Sequence, residues 1–208
     1  MTKIKSDYNR WAVEYDQTIN PTRDLDKIAT KKSLYDINFS FVLELGCGTG
    51  KNTQWLITRS KKLVGIDFSK NMLKIARKKV VSKRATFINL DLNKQWKIKN
   101  NSFDLCTINL VLEHIKKLDH IFNSLFTKLK RGGKCFLCEI HPKKQLKGSK
   151  ARFKMNNTET ILDTFPHFEM DYIQSAEMAG FRLLDKNDWY DNKSDIPRLI
   201  SFLFEKPL

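Results

Sequence analysis

The sequence predicts a wound α/β fold, a mostly parallel sheet of seven strands with helices on both faces. Three observations carry that prediction. Short apolar runs of strand length recur along the chain. Stretches of helical periodicity separate them, and strands alternating with helices give a parallel sheet with right-handed crossovers. The first run, Phe41–Leu45, breaks directly into Gly46-Cys47-Gly48-Thr49-Gly50, a strand-to-glycine turn of the kind that opens the ligand crevice of such sheets.

Composition bounds the chain further. Its 208 residues, 41% of them hydrophobic, suit one domain with one sizeable core. The longest apolar runs, such as Cys135–Ile140 and Leu199–Phe204, are too short for a membrane span. The stretch Met1–Asp16 lacks the apolar core of a secretory signal, so a cytoplasmic location is expected. Lys and Arg number 38 against 23 Asp and Glu, a net +15 that raises nucleic acid, an anionic surface or an acidic substrate as partners. The excess is Lys scattered among Asn and Ile rather than an Arg and aromatic stripe, which reads as a solvated surface. Cys135 and Cys138 form a lone Cys-x-x-Cys inside a strand-like run, and Cys47 and Cys106 stand apart. That pattern suits neither zinc nor a disulfide framework, and no metal site is expected.

Taken in order, Tyr8–Asp16 reads as an amphipathic helix with Tyr8 and Tyr15 seven apart on one face. Pro21 opens a second helix, patterned by Leu25, Ile28, Ala29, Leu34 and Tyr35, to about Ile37. Strand one is Phe41–Leu45, followed by a helix over 51–60 that buries Trp55 and Leu56. Strand two, Leu63–Asp67, ends in an acid, and Ser69 caps a helix whose Met72, Ile75, Ala76 and Val80 share a face. Strands three and four are Ala85–Asn89 and Phe103–Val111. Leu118, Ile121, Phe122, Leu125, Phe126 and Leu129 mark the clearest helix, with Gly132 or Gly133 expected as its left-handed cap. Strand five is Lys134–Ile140; the region 141–168 is irregular; a helix covers Asp171–Ala179 and stops at Gly180. Phe181–Asp185 and Leu199–Glu205 are the last two strands, with a polar loop between them. With no long linker, the chain divides into N-terminal helices over 1–37, a core over 38–140, a covering segment over 141–180 and C-terminal strands over 181–208.

The glycine loop is not a dinucleotide fingerprint, because the third glycine falls at Gly50 where Lys51 would have to be glycine. It is not a P-loop either, since Gly50-Lys51 is followed by Asn52. Glu44 sits in an otherwise apolar strand, where a carboxylate needs a donor or cation. Asp67 and Asp91 end the next two strands. Three acids on one rim would repel a pyrophosphate and suit a cationic nucleoside with an ammonium, a sulfonium, a ribose diol and an amino-purine.

That ligand is S-adenosylmethionine, and the chain resembles the class I methyltransferases that depend on it. It is similar to the small-molecule group of the ubiquinone and menaquinone pathways. The resemblance rests on Leu43–Gly50, Val64–Leu73, Asn89–Leu92, Phe103-Asp104 through Leu112-Glu113-His114, and Leu129–Lys134. It implies a Rossmann-like doubly wound sheet whose last strand is antiparallel. It implies that Gly46, Cys47 and Gly48 lie along the methionine part, with Glu44 at the ammonium. It implies Asp67 at the ribose, Phe68 and Met72 beside the adenine, Asp91 and Leu92 at its edge, and Asn109 and Leu110 bordering the methyl. The segment Tyr8–Asp16 matches the family's Tyr-Asp-x-x-Ala-x-x-Tyr-Asp, with Asn9 for the first acid, so Tyr8 and Tyr15 are expected to close over the cofactor.

Methyl transfer from a sulfonium is mostly alignment and desolvation, and a base is needed only if the acceptor carries a proton. Candidate bases are His114 after strand four, His141 after strand five, and His167 between aromatics in the covering segment; His120 reads as surface. The sequence therefore favours methyl transfer to O, N or C of a small molecule. RNA or protein methylation is the less favoured alternative, since no Asn/Asp-Pro-Pro-Tyr or Pro-Cys motif and no appended RNA-binding domain is present. A subunit that binds the cofactor without turnover is the third. Acceptor identity and oligomeric state are not encoded in any motif.

Overall fold

The computed structural model describes residues 3–155, 158–191 and 194–208. Seven strands form one sheet: β1 Phe41–Leu45, β2 Lys62–Asp67, β3 Ala85–Asn89, β4 Phe103–Asn109, β5 Leu129–Ile140, β8 Arg182–Trp189 and β9 Leu199–Glu205. Their order is β3-β2-β1-β4-β5-β9-β8. The first five pair in parallel, and β9 runs antiparallel to both β5 and β8. The mixed Rossmann-like sheet expected from the sequence is therefore observed. The chain reverses its direction of winding between β1 and β4, so the crevice opens at the carboxyl ends of those two strands.

Alternation along each strand splits the core between two faces. Leu43, Leu45, Cys106 and Ile108 face one layer, with Ile121, Phe122 and Leu125 of α5 (Leu118–Lys128) and Tyr172 of α7 (Glu169–Met178). Val42, Leu63, Leu105 and Phe136 face the other, with Ala29 of α2 (Pro21–Ser33) and Leu56 and Ile57 of α3 (Thr53–Arg59). The helix α4 (Lys70–Lys79) follows β2 and is capped by the Ser69 hydroxyl, which accepts from Met72 N at 3.2 Å.

Four local expectations are corrected. The first helix, α1, is Lys3–Trp11, and turns carry the chain on to Tyr15, so Tyr8 and Tyr15 do not share a helix face. Helix α5 ends at Lys128 with an extended Leu129, not a glycine cap; Gly132 takes φ +72° farther on, where the strand bends and Gly132 N donates to Lys206 O at 2.8 Å. Strand β8 runs to Trp189 across the expected polar loop, because β9 supplies a ladder partner as far as Leu199. Region 141–168 holds a short helix, α6 (Pro142–Leu146), and a hairpin, β6 (Arg152–Met155) with β7 (Thr158–Ile161). That hairpin meets α1: Trp11 and Phe153 stack at 5.3 Å, and with Leu162 they form a small separate core over the crevice. Among the described residues, no helix is long and apolar enough to cross a membrane.

Candidate functional site

The turn after β1 is built by backbone freedom and close approach. Gly46 and Gly48 have φ of +67° and +52°, and a β-carbon on Gly46 would stand 2.1 Å from Val111 Cγ2. Only glycine combines that conformation with that contact. The turn delivers Gly48 N to Asp67 Oδ2 at 2.9 Å, while Asp67 Oδ1 accepts from Ser69 N at 2.7 Å. Burial pushes the Asp67 carboxyl up to about 6, and the two N–H donors pull it back.

A cavity of about 350 Å³ opens beside this carboxylate. Phe68, Met72, Asp91 and Leu92 line it together with Tyr8, Tyr15, Asn109, Leu110 and His114. Asp91 Oδ1 accepts from Asn93 N at 3.0 Å, which fixes the turn after β3. A second cavity, about 50 Å³, holds Glu44, Cys47 and Asp26 with Gly46 and Gly48. Glu44 lies on the face of β1 that meets α3, so its Oε2 accepts from the Thr53 hydroxyl at 2.5 Å. Burial raises Glu44 to about 8. A third cavity, about 100 Å³, is lined by Tyr8, Trp11, Tyr15, Arg23, Leu110 and Glu113, with Lys150 and Arg152. Tyr15 and Leu110 line all three, so the cavities adjoin at a junction of these two residues.

Leu110 holds that junction in a left-handed conformation, φ +56°, at a backbone cost of about 1–2 kcal/mol for a side chain that is not glycine. Its surroundings enforce it. Leu110 N donates to Cys138 O at 2.9 Å, and the next two amides, Val111 N and Leu112 N, donate to Glu139 Oε1 at 3.0 and 2.9 Å. Asn109 Nδ2 donates to Asp26 Oδ1 at 2.6 Å and to Thr30 Oγ1 at 2.9 Å, tying the end of β4 to α2. Glu139 is pushed to about 8 and Asp26 is also raised, both chiefly by burial. Sequence reasoning missed Asp26, Arg23 and Glu139. An acid within the apolar run Cys135–Ile140 was the available signal for Glu139, the same signal that singles out Glu44. Asp26 and Arg23 reach the site only through the packing of α2.

The segment before α2 is tied to the turns that follow β1 and β2. Asn9, standing where the family has an acid, accepts from Ser69 Oγ at 2.8 Å, and Asn71 Nδ2 donates to Asn9 O at 2.9 Å. Asp16 pairs with Lys79 and accepts from Thr49 Oγ1 at 2.8 Å. The Arg23 guanidinium lies 4.1 Å over the Tyr15 ring.

The three candidate histidines have separate fates. His114 lines the large cavity; its Nδ1 stands 3.0 Å from Asp163 O and its Nε2 2.8 Å from the Tyr8 hydroxyl. A carbonyl only accepts, so Nδ1 carries the proton and Nε2 accepts from Tyr8. Burial holds this imidazole at about 4, hence neutral. His141 lines none of the three cavities; its Nδ1 accepts from Lys143 N at 3.1 Å as the cap of α6. His167 is buried outside them too, its Nε2 2.7 Å from Ile115 O and its ring edge-on to Tyr172. Both hold backbone groups at the ends of the 141–168 region, and neither lines these three cavities.

The cleft is acid-rich. Asp26, Glu44, Asp67 and Glu113 are buried along it with Arg23, and Glu139 is buried behind the Val111 and Leu112 amides. Adjoining cavities walled by carboxyl groups suit a cationic ligand and do not suit a pyrophosphate.

Comparison with known proteins agrees. Residues 43–137 match the family described as a methyltransferase domain. A demethylmenaquinone methyltransferase of Lactococcus lactis is 31% identical over 147 residues, covering 67% of this chain and 56% of that protein. The chain spans about half the length of the first curated relatives it matches, 46% and 56%. A putative S-adenosylmethionine-dependent methyltransferase of Listeria monocytogenes superposes with a TM-score of 0.76 at 20% identity, over 89% of this chain and 100% of that one. The N-methyltransferase NodS of Bradyrhizobium japonicum, in complex with S-adenosyl-L-homocysteine, superposes with a TM-score of 0.77 at 15% identity over 100% of both chains. At those identities the structural likeness speaks for the fold alone, and the family match speaks for residues 43–137, which are similar to a methyltransferase domain.

Proposed function

We propose that this chain transfers a methyl group from S-adenosylmethionine to a small-molecule acceptor. The observation that carries the reading is the wall formed by Tyr15 and Leu110, which an acid-lined large cavity, a smaller one with Glu44 and a third cavity all share. Asp67 would hold the ribose, Phe68 and Met72 the faces of the adenine, Asp91 and Leu92 its edge, and Glu44, Gly46, Cys47 and Gly48 the methionine arm. The bound cofactor supplies a methyl on a sulfonium, a strong leaving group. The chain's own contribution is to align and to dry the junction. Asn109 and Leu110 fix its floor, and Tyr8 with Tyr15 roof it, Tyr8 being held by His114. In this reading residues 1–37 and 141–180 form the cover and 38–140 with 181–208 form the scaffold. The four cysteines are free and buried, which supports a reducing compartment such as the cytoplasm.

The test is calorimetric titration with S-adenosylhomocysteine, followed by a methyl-transfer screen against a metabolite extract read by mass. Micromolar binding that is lost in Asp67→Ala, together with a methylated metabolite, supports the reading. Absence of binding in the wild type sinks it, and labelled methyl appearing on RNA or protein instead reassigns the acceptor.

A further inference from the structure

We propose that the third cavity receives an acceptor bearing both an amine and an acidic group, with Glu113 Oε2 taking the proton from the amine. This rests on the methyl-transfer reading above. Two of the adjoining cavities have the partners of a nucleoside and of an amino-acid arm, so the third is left for the acceptor. It runs between Tyr8, Trp11, Arg23, Glu113 and Arg152.

Glu113 is 2% exposed; its Oε2 makes no close hydrogen bond among the described residues, and the Gln145 amide is its polar neighbour. A buried carboxylate oxygen without a close donor is costly, which marks the place where a donor arrives with a ligand. His114 is not that donor. Its Nε2 stands 3.8 Å from Glu113 Oε1 and carries no proton, because Nδ1 donates to Asp163 O. Burial raises the Glu113 carboxyl to about 7, with the Gln145 amide pulling it back, so it can both take and release a proton near neutrality.

The opposite sign lines the same cavity. Arg23 is 6% exposed; its Nη atoms donate to Tyr15 O and Thr18 O, and its Nε has no partner among the described residues. Lys150 and Arg152 extend that positive wall, Arg152 lying 3.7 Å from Glu159 in an exposed pair. No ion pair joins Glu113 to Arg23, Lys150 or Arg152 among the described residues. Two opposite charges that share a cavity without meeting are complementary to a zwitterion placed between them.

The amine enters as an ammonium and gives one N–H proton to Glu113 Oε2. The freed nitrogen lone pair forms the N–C bond to the methyl carbon as the S–C bond breaks, and that bond's electron pair stays on sulfur. The methylated product leaves as an ammonium, and Glu113 returns its proton to water.

The experiment uses the full chain saturated with S-adenosylhomocysteine for binding and with S-adenosylmethionine for turnover. The probes are small amino acids and aminoalkyl phosphonates, each beside its hydroxy analogue and its analogue lacking the acid. Binding and N-methylation confined to the probes with both groups are the expected result. Glu113→Gln should weaken binding of those probes about tenfold, the loss of one hydrogen bond to a charged group. It should leave S-adenosylhomocysteine affinity and melting temperature close to wild type. Methylation of the hydroxy acids or of the amines without acid, a silent panel in an enzyme that binds S-adenosylhomocysteine, or an unchanged Glu113→Gln overturns the assignment. A wild type that does not bind S-adenosylhomocysteine overturns the parent reading instead.

Discussion

Replacing Asp67 with Asn separates what the carboxylate does for folding from what it does for the ligand. The change keeps the shape and removes the charge. In the native protein both carboxylate oxygens are used, one on Gly48 N at 2.9 Å and one on Ser69 N at 2.7 Å. An amide keeps one of these acceptors and turns an N–H donor toward the other, a loss of about 1–3 kcal/mol. Against that stands the burial of the charge. Moving the carboxyl from its ordinary 3.8 to about 6 corresponds to about 3 kcal/mol. Because the folded value is raised, the protonated form is favoured by folding. That contribution is fully present below pH 3.8 and is lost as pH rises through about 6. Asp67→Asn has no such dependence. The variant should therefore be clearly less stable than wild type near pH 4 and within about 1–2 kcal/mol of it at pH 8, the two effects nearly cancelling. Thermal melts at the two pH values should differ in their wild-type-minus-variant gap by about 6–12 °C for a chain of this size. Ligand binding has no compensation: at pH 8 the affinity for S-adenosylhomocysteine should fall about 10- to 100-fold, the loss of a charge-assisted bond. A gap that does not move with pH refutes the burial argument. Affinity within twofold of wild type refutes the placement of Asp67 at the ribose.

Three further outcomes are expected. Gly46→Ala combines a left-handed backbone with a β-carbon 2.1 Å from Val111 Cγ2, and denaturant unfolding should show a loss of about 2–4 kcal/mol. Tyr8→Phe removes the 2.8 Å bond to His114; stability should drop by about 0.5–1.5 kcal/mol, with faster release of S-adenosylhomocysteine in stopped-flow measurements. His114 is depressed from 6.5 to about 4 by burial, so its contribution is present above pH 6.5 and lost as pH falls through about 4. That is about 3 kcal/mol, and melts of His114→Gln should decline less than wild type over that interval.

Much of the fold was legible because buried parallel strands are written as apolar runs, and helices between them as a longer period. Asp67 and the glycine turn were legible because a strand end and a backbone conformation both leave local marks. The hairpin Arg152–Ile161 was not, since its stability comes from Phe153 stacking on Trp11 and not from its own pattern. The extension of β8 to Trp189 was hidden for the same reason: Lys186, Asn187 and Asp188 are poor strand formers that pair because β9 lies beside them. His141 and His167 show the limit for chemistry. A histidine beside a strand end or among aromatics can cap a helix or hold a carbonyl equally well, and only its partners tell which.

The small core of Trp11, Phe153 and Leu162 sets an order of events. During synthesis Trp11 emerges well ahead of its stacking partner, which follows some 140 residues later. The sheet from β1 to β5 can pair before that partner exists. Contacts so distant along the chain form slowly and late. The crevice is thus left uncovered while the scaffold beneath it matures, and a cofactor present in the cell can settle on the nascent domain before the cover docks. A chain halted before Phe153 should bind the nucleoside loosely and expose Trp11 to solvent.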